Sequence, residues 1–307
     1  MNSGFRLTGE GRVLIGLCKA FLESDRAELD TTSLHNADWA RVAEGALRHQ
    51  VYPFVLEVMK REPALGALIP RDQKALLWGA AAVNRARCER LREEQMALQD
   101  RLSAHGVQFL WLKGPLLSAR LYGDHGLRHS EDLDLFVPRE RLGEVSKVLA
   151  ETGYVEVRSG AAWTYSSNFV RRTPGGQLVV LDVHWGLAPP YYDVSLPSAG
   201  VVSGPGGPDA TVVFGLLSVH AAKHVNLVLK WLVDLTRLLA VERVDWDRLR
   251  AMTAALRCRK MLALVCKALN QVFGADVPAD LAARGRLGLW RWGGLVEGGG
   301  SGRSTFY

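Results

Sequence analysis

The spacing of apolar residues changes near Gly106, and this change decides the class of fold. From about residue 10 to residue 105, apolar residues such as Leu91 and Leu98 recur every three or four positions, which predicts helices. Beyond Gly106, short apolar runs alternate with helical segments. This order predicts an α+β chain in which a small mixed sheet is flanked by helical regions at both ends.

The strands of the predicted sheet are short and separated by recognisable helix and turn signals. A helix, LLSARLYG, follows the first strand, and an amphipathic helix over residues 139–153 follows the second. The last two strands form a hairpin around Thr173-Pro174-Gly175-Gly176. The predicted strands cover residues 107–112, 131–137, 154–158, 164–172 and 177–185.

Composition shifts along the chain suggest boundaries between regions. Residues 186–209 are dense in Pro, Gly and Ser, and the chain is helical again afterwards until about residue 274. We therefore expect five regions. They are a helical N-terminal region (1–105), a catalytic core (106–190), a Pro/Gly-rich loop (191–210), a C-terminal helical region (211–283) and a flexible tail (284–307).

The composition is that of a globular chain with room for a substantial core. Of the 307 residues, 48% are apolar and 23% are charged, and no apolar stretch approaches the length of a membrane span. The N-terminus lacks the basic opening and cleavage site of a signal peptide, so we expect a cytoplasmic protein that does not bind membranes. The four cysteines show no CxxC pairing, which argues against a zinc knuckle or disulfides. The net charge of +6 suits an acidic ligand such as a nucleotide without requiring nucleic acid.

Two aspartates interrupt the second apolar strand. In Asp132-Leu133-Asp134, strand alternation points both carboxylates to one face and Leu133 to the other. Mg²⁺ prefers oxygen ligands and is commonly shared between carboxylates and substrate phosphates. The pair alone is weak support, because acid-x-acid spacing also occurs at Asp245 and Asp247.

The surroundings of this pair strengthen the prediction of a metal site. Upstream, Lys113-Gly114 ends a strand immediately before a helix, where backbone N–H groups can receive phosphate oxygens. Downstream, alternation in LVVLDVHW places Asp182 and His184 on the same face. Acidic residues inside apolar strands are costly unless they are paired or bind a metal, so a third carboxylate at this position supports the same site.

These motifs together resemble the uncharacterised nucleotidyltransferase family of the polymerase-β-like superfamily. The similarity rests on FLWLKGPLLSARLYGDHGLRHSEDLDLFV and LDVHW, and extends more weakly over roughly residues 45–275. It implies that Asp132, Asp134 and Asp182 bind Mg²⁺ or Mn²⁺, that Asp182 also acts as a base, and that Gly114 lines the phosphates. The implied reaction moves a nucleoside monophosphate from an NTP, with ATP favoured, to a hydroxyl acceptor, and releases pyrophosphate.

One residue departs from the superfamily pattern. Members with a Gly-Ser turn place the serine hydroxyl on phosphate, whereas Pro115 follows Gly114 here. Lys113 or Arg128 would then neutralise the polyphosphate, Arg128 through its bidentate fork. His184 would orient a carboxylate or bind substrate, or it would be a structural histidine.

The helical region after the sheet carries further candidates for nucleotide or acceptor binding. We expect His220, Lys223, His224 and Lys230 to face a cleft beside the sheet. The four-residue spacing of His220 and His224 would also suit zinc, but the glutamate of zinc hydrolases is missing. Lys230 and Asp234 would alternatively form a surface ion pair.

The identity of the acceptor is open at this level: a small molecule, a peptide or protein, and RNA all fit. Phosphoryl transfer on the same site, to a peptide or a small molecule, is a second hypothesis. A degenerate protein that binds nucleotide or a partner protein without turnover is a third, motivated by Pro115. Asp134→Ala should abolish transfer and leave thermal stability equal or higher, because it relieves clustered negative charge.

Overall fold

The structure is a computed structural model of the chain. It describes residues 6–23, 31–157, 165–188, 208–284 and 291–296. The chain divides into two compact units, each assembled from separate stretches of sequence. The first unit comprises residues 1–83, 224–240 and 263–307, and the second comprises residues 84–223 and 241–262, in each case as far as they are described.

Helices make up most of the described chain. A 3₁₀ turn at Arg139–Arg141 leads into the eighth helix, and a π turn at Leu269–Phe273 continues the twelfth. The helices are α1 (Gly9–Leu22), α2 (Thr31–His35), α3 (Trp39–Arg48), α4 (Tyr52–Arg61), α5 (Pro63–Leu68), α6 (Arg71–Ala104), α7 (Pro115–Tyr122), α8 (Leu142–Glu151), α9 (Ala210–Lys223), α10 (Leu229–Val241), α11 (Trp246–Ala255), α12 (Arg259–Ala268) and α13 (Ala279–Arg284).

Local signals in the sequence fix several helix ends. Thr8 caps α1 by accepting a hydrogen bond from the N–H of Gly11, and Asp38 caps α3 in the same way. Gly123 ends α7 in the left-handed conformation at φ 74°, which a residue without Cβ adopts most readily. No helix in the described ranges is both long enough and apolar enough to cross a membrane.

The second unit contains a five-stranded mixed sheet. Its strands are β1 (Leu110–Trp111), β2 (Leu133–Phe136), β3 (Val155–Val157), β4 (Ser166–Arg172) and β5 (Leu178–His184). They lie in the order β1-β2-β5-β4-β3. The β2 and β5 strands are parallel, and the other neighbouring pairs are antiparallel. The expected α+β class with a mixed sheet is confirmed.

The two faces of the sheet have different surroundings. One face packs Leu133, Leu135 and Val183 into a core with Leu98 of α6 and Val148 of α8. The other face packs Leu110 and Phe136 against Val212, Leu216 and Val219 of α9. All four residues of β2 are consequently buried, so a charged side chain on this strand needs a compensating partner.

The first strand is shorter than its apolar run suggests. Only Leu110 and Trp111 pair with β2, although the N–H of Leu112 also donates to the Asp134 carbonyl over 2.9 Å. The N–H of Val107 donates back to the Leu102 carbonyl at the end of α6. Residues 107–109 therefore belong to the exit from the helix rather than to the ladder.

Candidate active site

The site is built on the parallel pair of strands at the centre of the sheet. Asp134 of β2 lies directly beside Asp182 of β5 in the strand register. Partners in register point to the same face, so the two carboxylates are neighbours. The sequence requirement that Asp134 and Asp182 share one face of the sheet is thus met.

His184 connects the two carboxylates. Its Nε2 atom lies 3.1 Å from Asp134 Oδ1 and 3.1 Å from Asp182 Oδ2. The imidazole is two residues after Asp182 on β5, so strand alternation brings it to the same face. A proton on Nε2 is shared between both acids and fixes their orientation.

A lysine from the turn before α7 provides a second positive group. Lys113 Nζ lies 2.9 Å from Asp134 Oδ1 and 3.4 Å from His220 Nε2. The β1 strand ends just before this residue, which places the lysine next to β2. Gly114 then turns the chain into α7 with φ 81° and ψ −162°, a conformation essentially restricted to glycine.

These contacts set the charges of the buried groups. Burial raises the pKa of the Asp134 carboxyl, but the Lys113 ammonium and His184 lower it by more, so its pKa lies well below the ordinary value. Burial lowers the pKa of His184, and its hydrogen bonds to Asp134 and Asp182 outweigh this, so its pKa is raised. The site therefore holds an ionised Asp134 beside the Lys113 ammonium, and the contacts of His184 favour its protonated form more than in a free imidazole.

Lys223, at the end of α9, contacts the tyrosine ring that stacks on His184. Its Nζ lies 4.8 Å from the centre of the Tyr165 ring and 3.3 Å from the Tyr165 hydroxyl. The Tyr165 ring in turn stacks on His184 at a centroid distance of 5.9 Å. Burial and the nearby Lys113 ammonium lower the pKa of Lys223 to about 8.

A cavity that is open to solvent lies at these groups. Lys113, Asp134, His184, His220 and Lys223 contribute the polar part of its wall. The apolar part comes mainly from α9 and from the chain just after β5. The apolar lining residues are Leu112, Gly186, Leu187, Leu216 and Leu217.

The remaining carboxylate oxygens fit a hard cation. Asp134 Oδ2 and Asp182 Oδ1 are buried and have no hydrogen-bond partner among the described residues. Asp134, Asp182 and His184 offer donor atoms that all lie within 4.8 Å of one another. A buried acceptor without a partner is costly, and a divalent cation bound by oxygen ligands would satisfy both.

Comparison with known proteins agrees with this geometry. A family model described as "Uncharacterised nucleotidyltransferase" matches residues 35–274, which is most of the chain. The chain belongs to this nucleotidyltransferase family. The resemblance, predicted over roughly residues 45–275, is thereby confirmed over residues 35–274.

One solved structure resembles the chain only loosely. It is the crystal structure of an antigenic nucleotidyltransferase-like protein from Paracoccidioides brasiliensis, with 14% identity and a TM-score of 0.33. The similarity covers 66% of this chain and 95% of that one. No protein with a curated description matches the sequence. A structural likeness at this level contributes nothing to the assignment of residues.

The family resemblance assigns two further residues to the metal and the phosphates. Asp132 comes just before β2, is half-buried, and stands outside the group formed by Asp134, Asp182 and His184. Arg128 is buried, at 2% exposure, with its guanidinium 3.4 Å from the Ser130 hydroxyl. Metal binding by Asp132 and phosphate binding by Arg128 stay predictions.

The four candidates that follow the sheet separate into two pairs. His220 and Lys223 line the cavity in the second unit, as described above. His224 and Lys230 belong to the first unit, where His224 packs on Trp231 at 4.9 Å. Lys230 is buried, so the alternative of a surface pair with Asp234 is wrong, since Asp234 is also buried. Ligand binding by His224 and Lys230 stays a prediction.

Tyr165 is the member of the site that sequence reasoning misses. It lies just ahead of β4, and its carbonyl accepts the N–H groups of Trp185 and Gly186. A Cβ added to Gly186 would come within 3.1 Å of the Tyr165 Cβ. The only advance signal is the pairing of the two hairpin strands, which brings the residue before β4 opposite the residue after β5.

Proposed function

We propose that the protein transfers a nucleoside monophosphate from an NTP, with ATP favoured, to a hydroxyl acceptor in a reaction that depends on Mg²⁺ or Mn²⁺ and releases pyrophosphate. The observation that carries this proposal is the pairing of Asp134 with Asp182, each with a buried oxygen that no described protein group satisfies. Membership in the nucleotidyltransferase family supports the same reaction class.

Asp134 and Asp182 would hold the cation, with Asp132 as a third carboxylate. When bound, the cation supplies charge neutralisation for the polyphosphate and for the attacking and leaving oxygens. His184 holds one oxygen of each acid, which leaves the other oxygen of each available. The imidazole therefore orients the two carboxylates and leaves one oxygen of each for the cation.

Lys113 would exchange its partner when substrate binds. In the structure its ammonium neutralises Asp134. A cation on the two acids would make that contact redundant, and the ammonium could then neutralise the triphosphate at the Gly114 turn. Lys223 and His220, both on α9, contribute an amine and an imidazole to the same cavity.

Asp182 would act as the base toward the acceptor hydroxyl. It is the more exposed of the two acids, with 23% of its side chain accessible against 4% for Asp134. A proton acceptor needs this access because the hydroxyl must come within hydrogen-bond reach. Asp134 is more enclosed and is suited to holding the cation.

The test uses ATP labelled at the α- or γ-phosphate, incubated with Mg²⁺ and a cell extract that supplies acceptors. The proposal expects acid-stable product to retain the α label and pyrophosphate to be released. Retention of the γ label alone would establish phosphoryl transfer instead. Asp182→Asn should remove the product, and Asp247→Asn, which changes an exposed acid on α11, serves as the matched control.

The turn itself favours one alternative, which is binding of nucleotide without turnover. Pro115 removes both a backbone donor and the hydroxyl that Gly-Ser members place there. Under this alternative ATP would bind, but no label would reach any acceptor, and Asp134→Ala would not change nucleotide affinity.

A further inference from the structure

Gln95 of α6 is a buried amide that the described protein leaves unsatisfied. The residue is 0% exposed, and neither its Oε1 nor its Nε2 has a hydrogen-bond partner in the described chain. Buried amides nearly always find partners, because each unmade hydrogen bond destabilises the folded state. A buried amide without partners on a long regular helix is therefore expected to form its hydrogen bonds in another state of the protein.

This amide lies against the turn that leads into α7. A Cβ placed on Gly114 would be 3.3 Å from Leu133 Cδ2, 3.8 Å from Gln95 Nε2 and 3.9 Å from Gln95 Oε1. Because residue 114 is glycine, no side chain at this position stands between the amide and the backbone of the turn. The amide thus presents one donor and one acceptor to a peptide backbone that also carries both kinds of group.

The turn is short of donors where a phosphate would bind. Pro115 has no N–H, and Gly114 supplies no side-chain cap to α7. The first N–H groups of α7 have no partner within the helix and point toward the same end. A triphosphate drawn to this end would require the Lys113-Gly114 backbone to be held in one orientation.

We propose that Gln95 is a positioning residue for the NTP, holding the Lys113-Gly114 backbone through its amide when the turn closes on the triphosphate. This inference rests on the proposed function. A small shift of the turn would let Gln95 donate to a carbonyl and accept from an N–H of the turn. Hydrogen bonds made only in the bound form favour that form, so they raise affinity for the nucleotide. Gln95 would thereby compensate for Pro115 without touching the ligand.

The experiment compares Gln95→Met with the wild type. Methionine has a similar length and shape but no polar amide. By calorimetry with ATP and Mg²⁺ in the absence of acceptor, we expect the Kd of Gln95→Met to rise about tenfold. The Tm of the ligand-free variant should equal or exceed that of the wild type, since two unsatisfied buried groups are removed. Gln99→Met, which changes an exposed glutamine on the same helix, should alter neither value.

The outcomes separate this inference from the proposed function. Wild type that binds no ATP, CTP, GTP or UTP overturns both. Wild type that binds ATP, with an equal Kd for Gln95→Met, overturns the role of Gln95 alone. A lower Tm with an unchanged Kd would identify a packing residue instead. If Gln95→Met does not fold, exchange of the Gln95 side-chain NH₂ protons in wild type decides: slower exchange on adding ATP supports the inference, and unchanged exchange refutes it.

Discussion

Removing the charge of Asp134 tests the electrostatics of the site most sharply. Lys113 Nζ lies 2.9 Å from Asp134 Oδ1, and only 12% and 4% of the two side chains are exposed. At that distance the attraction is about 6 kcal/mol for an effective dielectric constant of about 20. Desolvation offsets much of it, but Asp134→Asn leaves the Lys113 ammonium buried without a counter-charge. Breaking such a pair costs about 3–5 kcal/mol.

This expectation reverses the one drawn from the sequence, in which loss of an aspartate only relieves repulsion. Thermal unfolding without metal should show the midpoint of Asp134→Asn about 10 °C lower than that of wild type. Lys113→Met in the same background should restore much of the loss, because it removes the uncompensated ammonium. If Asp134→Asn is as stable as wild type, then Lys113 and Asp134 do not stabilise each other as the ion pair that the geometry indicates.

Three other changes probe the same region. The Lys223 amine should titrate near pH 8, so its neutral fraction and its rate of acylation should rise as the pH passes that value. A rate of Lys223 acylation that does not change across pH 8 would contradict this. Gly114→Ala should cost about 1–3 kcal/mol in urea unfolding and weaken ATP binding, because φ is 81°. Gly123→Ala, at φ 74° with open space around it, should cost about 1 kcal/mol and leave ATP binding unchanged. His184→Gln should weaken Mn²⁺ binding roughly tenfold or more, measured by titration, and full affinity would remove its orienting role.

The directions of the acidic side chains could be predicted because strand alternation is a local property. Leu133 and Val183 fill the core, so Asp134 and Asp182 must point away from it. The parallel pairing of β2 and β5 could not be predicted from such a local property. It joins segments more than forty residues apart, and the sequence supplies a candidate only through the family resemblance.

The contacts that set the charges of the site could not be predicted from the sequence. Lys113 neutralises Asp134 because β1 and β2 are neighbours in the sheet. No local pattern in the sequence predicts that these two strands pair. Gln95 is one polar residue among many on a long helix, and periodicity predicts that its face is buried without saying what it meets. The burial of Arg128 is equally out of reach of local patterns, because it depends on packing between segments that are distant in the sequence.

The central claim is that Asp134 and Asp182 jointly bind a divalent cation beside the nucleotide. Electron paramagnetic resonance titration of Mn²⁺ with ATP present measures this directly in wild type, Asp182→Asn and the exposed control Asp247→Asn. We predict that Asp182→Asn weakens protein-dependent Mn²⁺ binding roughly tenfold or more, while Asp247→Asn matches wild type. Equal Mn²⁺ affinity in all three proteins would contradict the account.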